Sequence, residues 1–304
     1  MQRLFVFLIA LVVFGAPIAL ALTAPEQVPE NAIGSHTADL ENGRTMFYAG
    51  GCASCHATPD QDEPLRLGGG RELRTPFGVF RAPNISSHPR DGIGNWTERQ
   101  FLSAMLKGTS PDGRHYYPAF PYTSYQRMRV ADVRDLFAFL KTLPAVEGVQ
   151  RDHELRFPFN LRIGLGLWKL RYLDGQPFRS DPQQSEIWNR GAYLVEGPGH
   201  CAECHSPRDV AGGIVAGQRL AGGPNLTGEG SVPNITQHAR GLASWSESDI
   251  ERLLETGDKP DFDAVSGDMR AVVRNLAQLP AGDRGAMAHY LKSLPAVAGS
   301  SSQN

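Results

Sequence analysis

The chain has 304 residues, a length that allows about two domains. Its 41% of hydrophobic and 20% of charged residues are typical of a globular protein. Lysine plus arginine (30) nearly balance aspartate plus glutamate (32), which gives a formal net charge of -2. The chain therefore lacks the excess of basic residues that binds nucleic acids, and we expect no nucleic-acid partner.

The first 21 residues have the pattern of a secretory signal peptide. Arg3 precedes an apolar run over residues 4–14, and small residues follow at Ala19 and Ala21. We expect cleavage after Ala21; if the segment is retained instead, residues 4–22 are long enough to anchor the chain in a membrane. In both cases the rest of the chain lies outside the cytoplasm. We expect a periplasmic location, either free or attached to the inner membrane.

A short helix with a central glycine, Gly43, comes next and leads into a C-x-x-C-H motif at residues 52–56. The motif recurs at residues 201–205, and the two copies use all four cysteines. Two thiols at this spacing can form thioethers to one porphyrin, whose iron the adjacent histidine can ligate. A zinc ribbon would place its cysteine pairs roughly 15–20 residues apart, and a thioredoxin-like motif needs no histidine. We therefore predict two covalently bound haems c, attached and ligated by Cys52, Cys55, His56, Cys201, Cys204 and His205.

The elements after the first motif recur in the same order after the second. Each motif is followed by a Pro-Asn-Ile segment, a helix led by a tryptophan and a closing helix. Gly108 and Gly257 are placed to end the tryptophan-led helices, and Pro144 and Pro295 to end the closing helices. A glycine in each opening helix, Gly191 in the second half, allows the opening and closing helices to cross closely. The chain is therefore a duplication of one haem domain.

No alternating strand pattern is convincing in either half, so we predict an all-α fold of two tandem class I cytochrome c-like domains. The domains are expected over residues 36–146 and 185–297. A connector spans residues 147–184, and we expect a disordered tail over residues 298–304. Within the connector, residues 161–170 could form a short amphipathic helix. Two interpretations of that helix stay open: packing between the domains, or contact with a membrane surface or a partner.

The sixth iron ligand has to come from a distant part of each half, and methionine is usual in electron-transfer cytochromes. Met269 lies between the tryptophan-led and closing helices of the second half, where such a ligand is expected. Met128 lies in the corresponding region of the first half but closer to the closing helix, and the alignment places Phe120 near the position of Met269. We predict Met128 and Met269 as ligands. For the first haem, His115, His88 or an open site stay as alternatives.

Other repeated residues could shape the haem pockets. The Pro-Asn pairs could pack on the side of the proximal histidine, and the two tryptophans could either line the porphyrin or fill the core. These residues are Pro83, Asn84, Pro233, Asn234, Trp96 and Trp245.

Several longer segments are characteristic of a known family: residues 83–86, 92–96, 117–122, 188–196 and 200–208. Together they resemble the cytochrome c subunit of periplasmic, membrane-bound alcohol and gluconate dehydrogenases, over roughly residues 38–297. The resemblance implies a partner dehydrogenase subunit as electron donor and a downstream cytochrome, oxidase or quinone as acceptor. Better-known members carry three haem domains and a C-terminal membrane-binding segment. Because this chain ends after its second domain, we expect a soluble or lightly anchored relay.

We therefore predict a dihaem cytochrome c that acts as a non-catalytic electron-transfer subunit of a dehydrogenase complex. The main alternative is a catalytic dihaem enzyme of the peroxidase or thiosulfate dehydrogenase type, which would need one haem with a reactive sixth position. A haem-based redox or gas sensor is a weaker alternative, because no signalling domain follows the second motif.

Overall fold

A computed structural model describes residue 15 and residues 17–148 and 151–299 of the chain. Most of the predicted signal peptide, and residues 300–304 of the predicted tail, lie outside the described residues. Within the described ranges, no helix is both long enough and apolar enough to cross a membrane.

The first half begins with a 3-10 turn at Glu30–Ala32 and consists mainly of helices arranged around the first C-x-x-C-H motif. A two-stranded hairpin separates the motif from the tryptophan-led helix. In chain order its elements are α1 (Leu40–Ala49), α2 (Cys52–His56), β1 (Glu72–Thr75), β2 (Gly78–Arg81), α3 (Glu98–Lys107), α4 (Tyr122–Tyr125) and α5 (Val130–Thr142).

The connector and the second half continue this organisation. The second motif begins in a 3-10 turn, Cys201–Glu203, where the first motif forms a short α-helix. The elements are β3 (Glu154–Leu155), α6 (Gly164–Tyr172), α7 (Glu186–Glu196), β4 (Gly223–Pro224), β5 (Ser231–Val232), α8 (Glu247–Thr256), α9 (Met269–Leu276) and α10 (Ala281–Ser293).

The prediction of an all-α fold is wrong. Over the residues that the structure describes, the protein is mixed α/β, with about 38% of them in helices and two small antiparallel sheets. One sheet has the order β1-β2-β3, in which Gly78 and Val79 of the first half pair with Leu155 and Glu154 of the connector. The strands are two to four residues long. Such strands are too short to show an alternating pattern, and their pairing across the fold cannot be read locally.

The tryptophan-led helices begin at capping boxes and end at the predicted glycines. Both tryptophan-led helices begin with a capping box, formed by Thr97 with Gln100 and by Ser246 with Asp249. In each box, the first residue accepts a hydrogen bond from the backbone of the second, whose side chain accepts one in return. The helices end at Gly108 and Gly257, whose φ angles of 59° and 85° lie in the left-handed region that favours glycine.

The opening and closing helices of each half cross at the predicted glycines. In the first half α1 packs on α5, and in the second half α7 packs on α10. A β-carbon on Gly43 would collide with the backbone carbonyl of Asp135, and one on Gly191 with that of Ala286. Each crossing is therefore a backbone-to-backbone contact that only glycine allows. These crossings fix the opening and closing helices of each half relative to each other.

Helix α6 of the connector packs against both halves. The Lys169 ammonium group donates to the carbonyl oxygens of Lys107 and Gly108, both at 2.7 Å, and so caps the end of α3. Trp168 Nε1 donates to the Ala211 carbonyl of the second half at 2.9 Å. The opposite side of the helix is apolar and open, with Leu167 63% exposed. The helix thus joins the halves and leaves an apolar strip on the surface.

Candidate haem-attachment sites

The first C-x-x-C-H motif forms a single helical turn, and a backbone carbonyl orients its histidine. Gly51 precedes the turn with a φ of 55°, which allows the chain to bend sharply into Cys52. The Nδ1 atom of His56 lies 2.8 Å from the carbonyl oxygen of Pro83. Because a carbonyl only accepts, Nδ1 carries the proton and donates it. The lone pair of the neutral ring is then on Nε2, the atom available to a metal.

The second motif repeats this arrangement. His205 Nδ1 lies 2.8 Å from the Pro233 carbonyl oxygen, the same distance as in the first half. The turn is entered through His200, whose φ of 40° takes the place of the glycine in the first half. Two segments of different local structure therefore present a histidine in the same tautomer with the same free nitrogen.

The asparagine after each of these prolines holds the proline carbonyl in place. Asn84 Nδ2 donates to the Val146 carbonyl at 2.7 Å, and Asn234 Nδ2 donates to the Val297 carbonyl at 2.8 Å. Both side chains also accept a hydrogen bond from the backbone two residues later. The Pro-Asn pairs lie near the motif histidines, as expected from the sequence. Their link to the segment after the closing helix could not be predicted, because no local pattern shows it.

Burial keeps the motif side chains in their neutral forms. It lowers the pKa of His56 and His205, against the opposing effect of the proline carbonyls. It also raises the pKa of Cys52 and Cys201 to about 12. All four cysteines, each in the described part of the chain, are free thiols. A pair of thiols beside a neutral histidine with a free Nε2 is the donor set that haem c requires, so these residues fit the group.

The two predicted methionine ligands lie in different surroundings. Met128 is buried, with 2% exposure, just before α5, and its side chain lies beside Gly197 of the second half. Met269 is half-buried and is the first residue of α9. The residue that corresponds to Met128 before α10 is Leu279. In both cases the backbone N–H donates to the residue three positions earlier, Tyr125 or Leu276. The two sulfur atoms are therefore not at equivalent positions.

The alternative histidine ligands of the first haem are engaged in other contacts. His115 Nε2 lies 2.9 Å from the Thr23 carbonyl oxygen, and His88 Nδ1 accepts a hydrogen bond from the backbone of Asp91 at 3.1 Å. Both predicted pocket tryptophans, Trp96 and Trp245, are half-buried against the core.

Two arginines hold the attachment turns from outside the motifs. The Arg208 guanidinium donates to the Glu203 carbonyl at 2.5 Å and pairs with its carboxylate at 2.6 Å. In the first half, Arg71 donates to the Ser54 carbonyl and pairs with Asp268 of the second half at 2.6 Å. The role of these arginines could not be predicted, because neither has a counterpart at the same position in the other repeat.

Comparisons with known proteins agree with this geometry. The family model for cytochrome c matches residues 40–144. A diheme cytochrome c-type protein of Cereibacter sphaeroides is 47% identical over 294 residues, which cover 95% of this chain and 97% of the relative.

Two longer relatives are subunits of dehydrogenases. The fructose dehydrogenase cytochrome subunit of Gluconobacter japonicus is 36% identical over 90% of this chain. The cytochrome c subunit of the quinone-type alcohol dehydrogenase of Gluconobacter oxydans is 34% identical over 92% of this chain. The matched regions cover 55% and 59% of those subunits, so the chain spans little more than half their length.

Proposed function

This chain belongs to the dihaem c-type cytochromes, and we propose that each of its two C-x-x-C-H turns carries one covalent haem c. The observation that carries the proposal is the repeated contact of the motif histidine with a proline carbonyl, 2.8 Å in both halves. When bound, haem c supplies a one-electron couple between Fe(III) and Fe(II). The cytochrome is an electron carrier, which is supported by relatives named as cytochrome subunits of dehydrogenases.

Each residue of the motif has a distinct role in this proposal. The thiols of Cys52 and Cys55, and those of Cys201 and Cys204, would form the thioethers. His56 and His205 would ligate iron through Nε2, while each Nδ1 keeps its proton and donates it to the proline carbonyl. The hydrogen bond from Nδ1 to the proline carbonyl fixes the plane of the imidazole ring and increases the electron donation from Nε2 to the metal.

Met128 and Met269 are our proposed sixth ligands. Both lie between the tryptophan-led and closing helices, the region from which the second axial ligand is expected. A thioether ligand favours Fe(II) and raises the potential of the haem. Because Met128 is buried and Met269 half-buried, we expect two haems of unequal potential.

We further propose a dehydrogenase subunit as the electron donor. The fructose and alcohol dehydrogenase relatives are named as cytochrome subunits of such complexes, and they support a donor of this kind in the periplasm. The acceptor would be a downstream cytochrome, an oxidase or a quinone.

Attachment to the inner membrane would use the connector. Phe157 is 77% exposed, Ile163 70% and Leu167 63%, with Arg156 and Arg171 exposed beside them. Apolar side chains next to basic ones suit the surface of an anionic membrane. The wild-type protein should float with anionic vesicles, and an Ile163→Asn/Leu167→Asn variant should not. Equal flotation of both would place attachment elsewhere.

The first experiment is a redox titration of the purified protein, followed by its absorbance, with carbon monoxide added to the reduced form. We expect two haems per chain, a sulfur-to-iron charge-transfer band and no reaction with carbon monoxide. A Cys201→Ser/Cys204→Ser variant should retain one haem. A single haem in the wild type would contradict the proposal. A haem that binds carbon monoxide would instead indicate an open iron and revive the catalytic alternative.

A further inference from the structure

The two attachment turns are each hydrogen-bonded to the opposite half of the molecule. The third residue of the motif is Ser54 in the first half and Glu203 in the second. Asn275 Nδ2 donates to the Ser54 hydroxyl at 2.9 Å. Thr123 and Ser124 both donate to one carboxylate oxygen of Glu203, at 2.8 and 2.7 Å. The contact is therefore reciprocal: each half holds the turn of the other at the same motif position.

The donors belong to the segments that contain the proposed sixth ligands. Asn275 lies in α9, which begins at Met269 and packs against α1 and α2 of the first half. Thr123 and Ser124 lie in α4, which leads directly to Met128. Each haem-attachment turn is thus bonded to the segment expected to ligate the other haem.

One further contact brings the two turns themselves together. His200 Nε2, next to the second motif, lies 3.1 Å from the Gly50 carbonyl oxygen, next to the first.

The two turns differ in charge, because only the second turn carries a carboxylate, Glu203, at this motif position. Its carboxylate is 11% exposed and pairs with Arg208 at 2.6 Å. The charge of Arg208 and the hydrogen bonds from Arg208, Ser124 and Thr123 stabilise the ionised carboxylate. Two of these three partners belong to the first half. A movement of α4 would therefore uncover a negative charge beside Cys204, whereas Ser54 offers no such charge in the first turn.

We propose that Ser54 and Glu203 are positioning residues that couple the two haem sites. A shift of the segment that carries one sixth ligand changes the environment of the other haem through them. This inference rests on the proposed haems at both turns, and the haem content of each variant tests that premise separately, before any titration.

The test changes only first-half hydroxyls and leaves every charge and every second-half residue in place. In a Thr123→Val/Ser124→Ala variant, the Glu203 carboxylate loses two donors and its charge is less compensated. A bare negative charge favours Fe(III). We therefore expect the equilibrium constant for reduction of the second haem to fall about threefold to tenfold, the range that weakened hydrogen bonds to a charged group can produce. The first haem should shift too, because α4 leads to Met128.

A Glu196→Gln variant is the matched control. Glu196 is a half-buried carboxylate at the end of α7, and its partners Arg219 and Tyr290 both lie in the second half. This variant should change the potential of the second haem alone, and the change identifies which step of the titration belongs to that haem. If the hydroxyl variant also alters one haem only, the coupling is disproved.

The reciprocal turn gives a second measurement if the double variant does not fold. Ser54→Ala removes the acceptor of Asn275, whose amide keeps its bond to the Ala271 carbonyl at 2.8 Å. Coupling predicts that both haems respond to this variant, including the sulfur-to-iron band of the haem at Met269. A response confined to the first haem would overturn the proposal.

Discussion

At the scale of single residues, the two motif histidines depend on backbone carbonyls that lie far away in sequence. His56 and His205 contact Pro83 and Pro233, and the following asparagines tie these prolines to the ends of their domains. The motif and its histidine could be predicted from the sequence because their chemistry lies within five residues. The role of the asparagines could not, since it depends on contacts with residues about sixty positions away.

Replacement of Met269 tests the sixth ligand of the second haem. Met269→Leu keeps the size of the side chain but removes the sulfur, so we expect one haem to lose its sulfur-to-iron band and its potential to fall. The band intensity of the protein should drop by about half, since Met128 would still supply the other sulfur. Met287→Leu is the control, because Met287 is buried in α10 and is 1% exposed. An unchanged band in Met269→Leu would remove Met269 from the ligands.

At the scale of elements, the helices were predictable and the sheets were not. Capping residues and terminal glycines are local signals, and the terminal glycines of α3 and α8 act as predicted. The short strands β2 and β3 pair across more than seventy positions, and that pairing depends on how the connector returns to the first half. The position of α6 also depends on contacts with both halves.

The crossing of α7 with α10 gives a stability prediction. Gly191→Ala places a methyl group against the Ala286 carbonyl, so the helices must separate, and we expect a loss of about 3 kcal/mol in the free energy of unfolding. Gly282→Ala in α10 is the control, since a β-carbon there meets no atom within 4 Å. It should leave the free energy unchanged or raise it by up to about 1 kcal/mol. Equal denaturation midpoints for the two variants would contradict a tight crossing.

The docking of α6 predicts a dependence on pH. Burial lowers the pKa of Lys169 to about 8 from its ordinary 10.5, and the charge of Lys107 adds to this effect. Between pH 8 and pH 10.5, Lys169 is protonated in the unfolded chain but has lost its proton in the folded protein. The free energy of unfolding should therefore rise from pH 8 to 10.5, by about 3 kcal/mol.

Lys169→Met removes this contribution, so the difference between the wild-type and variant stability curves isolates it. Chemical denaturation at several pH values measures both curves. Parallel curves across this range would show that the Lys169 ammonium group is not perturbed by burial.

At the scale of the whole molecule, the two repeats share one hydrophobic core. Tyr193 of the second half is fully buried; its hydroxyl donates to the Asp132 carboxylate and accepts from the Arg129 backbone of the first half. The sequence indicated two similar domains joined by a connector. It could not show the surface that the two halves share. Each repeat has its own apolar helix faces, and no local pattern indicates which of these faces pack against each other.

A shared core predicts that the halves unfold together. Calorimetry should give one transition, with a calorimetric enthalpy equal to the van't Hoff enthalpy. Tyr193→Phe keeps the ring but removes the hydroxyl that joins the halves, so the transition should move to lower temperature or begin to separate. Two well-resolved transitions in the wild-type protein would indicate independent domains.

The reciprocal bonding of the attachment turns also has a consequence for biogenesis. Translation produces the first motif long before α9, yet the Ser54 hydroxyl receives its partner, Asn275, only from α9. A haem joined to the nascent first half would thus enter an unfinished site. Its final properties would be acquired only when the last helices fold, at the same moment as those of the second haem. A maturing chain would then change from an inactive intermediate to a working carrier in one step.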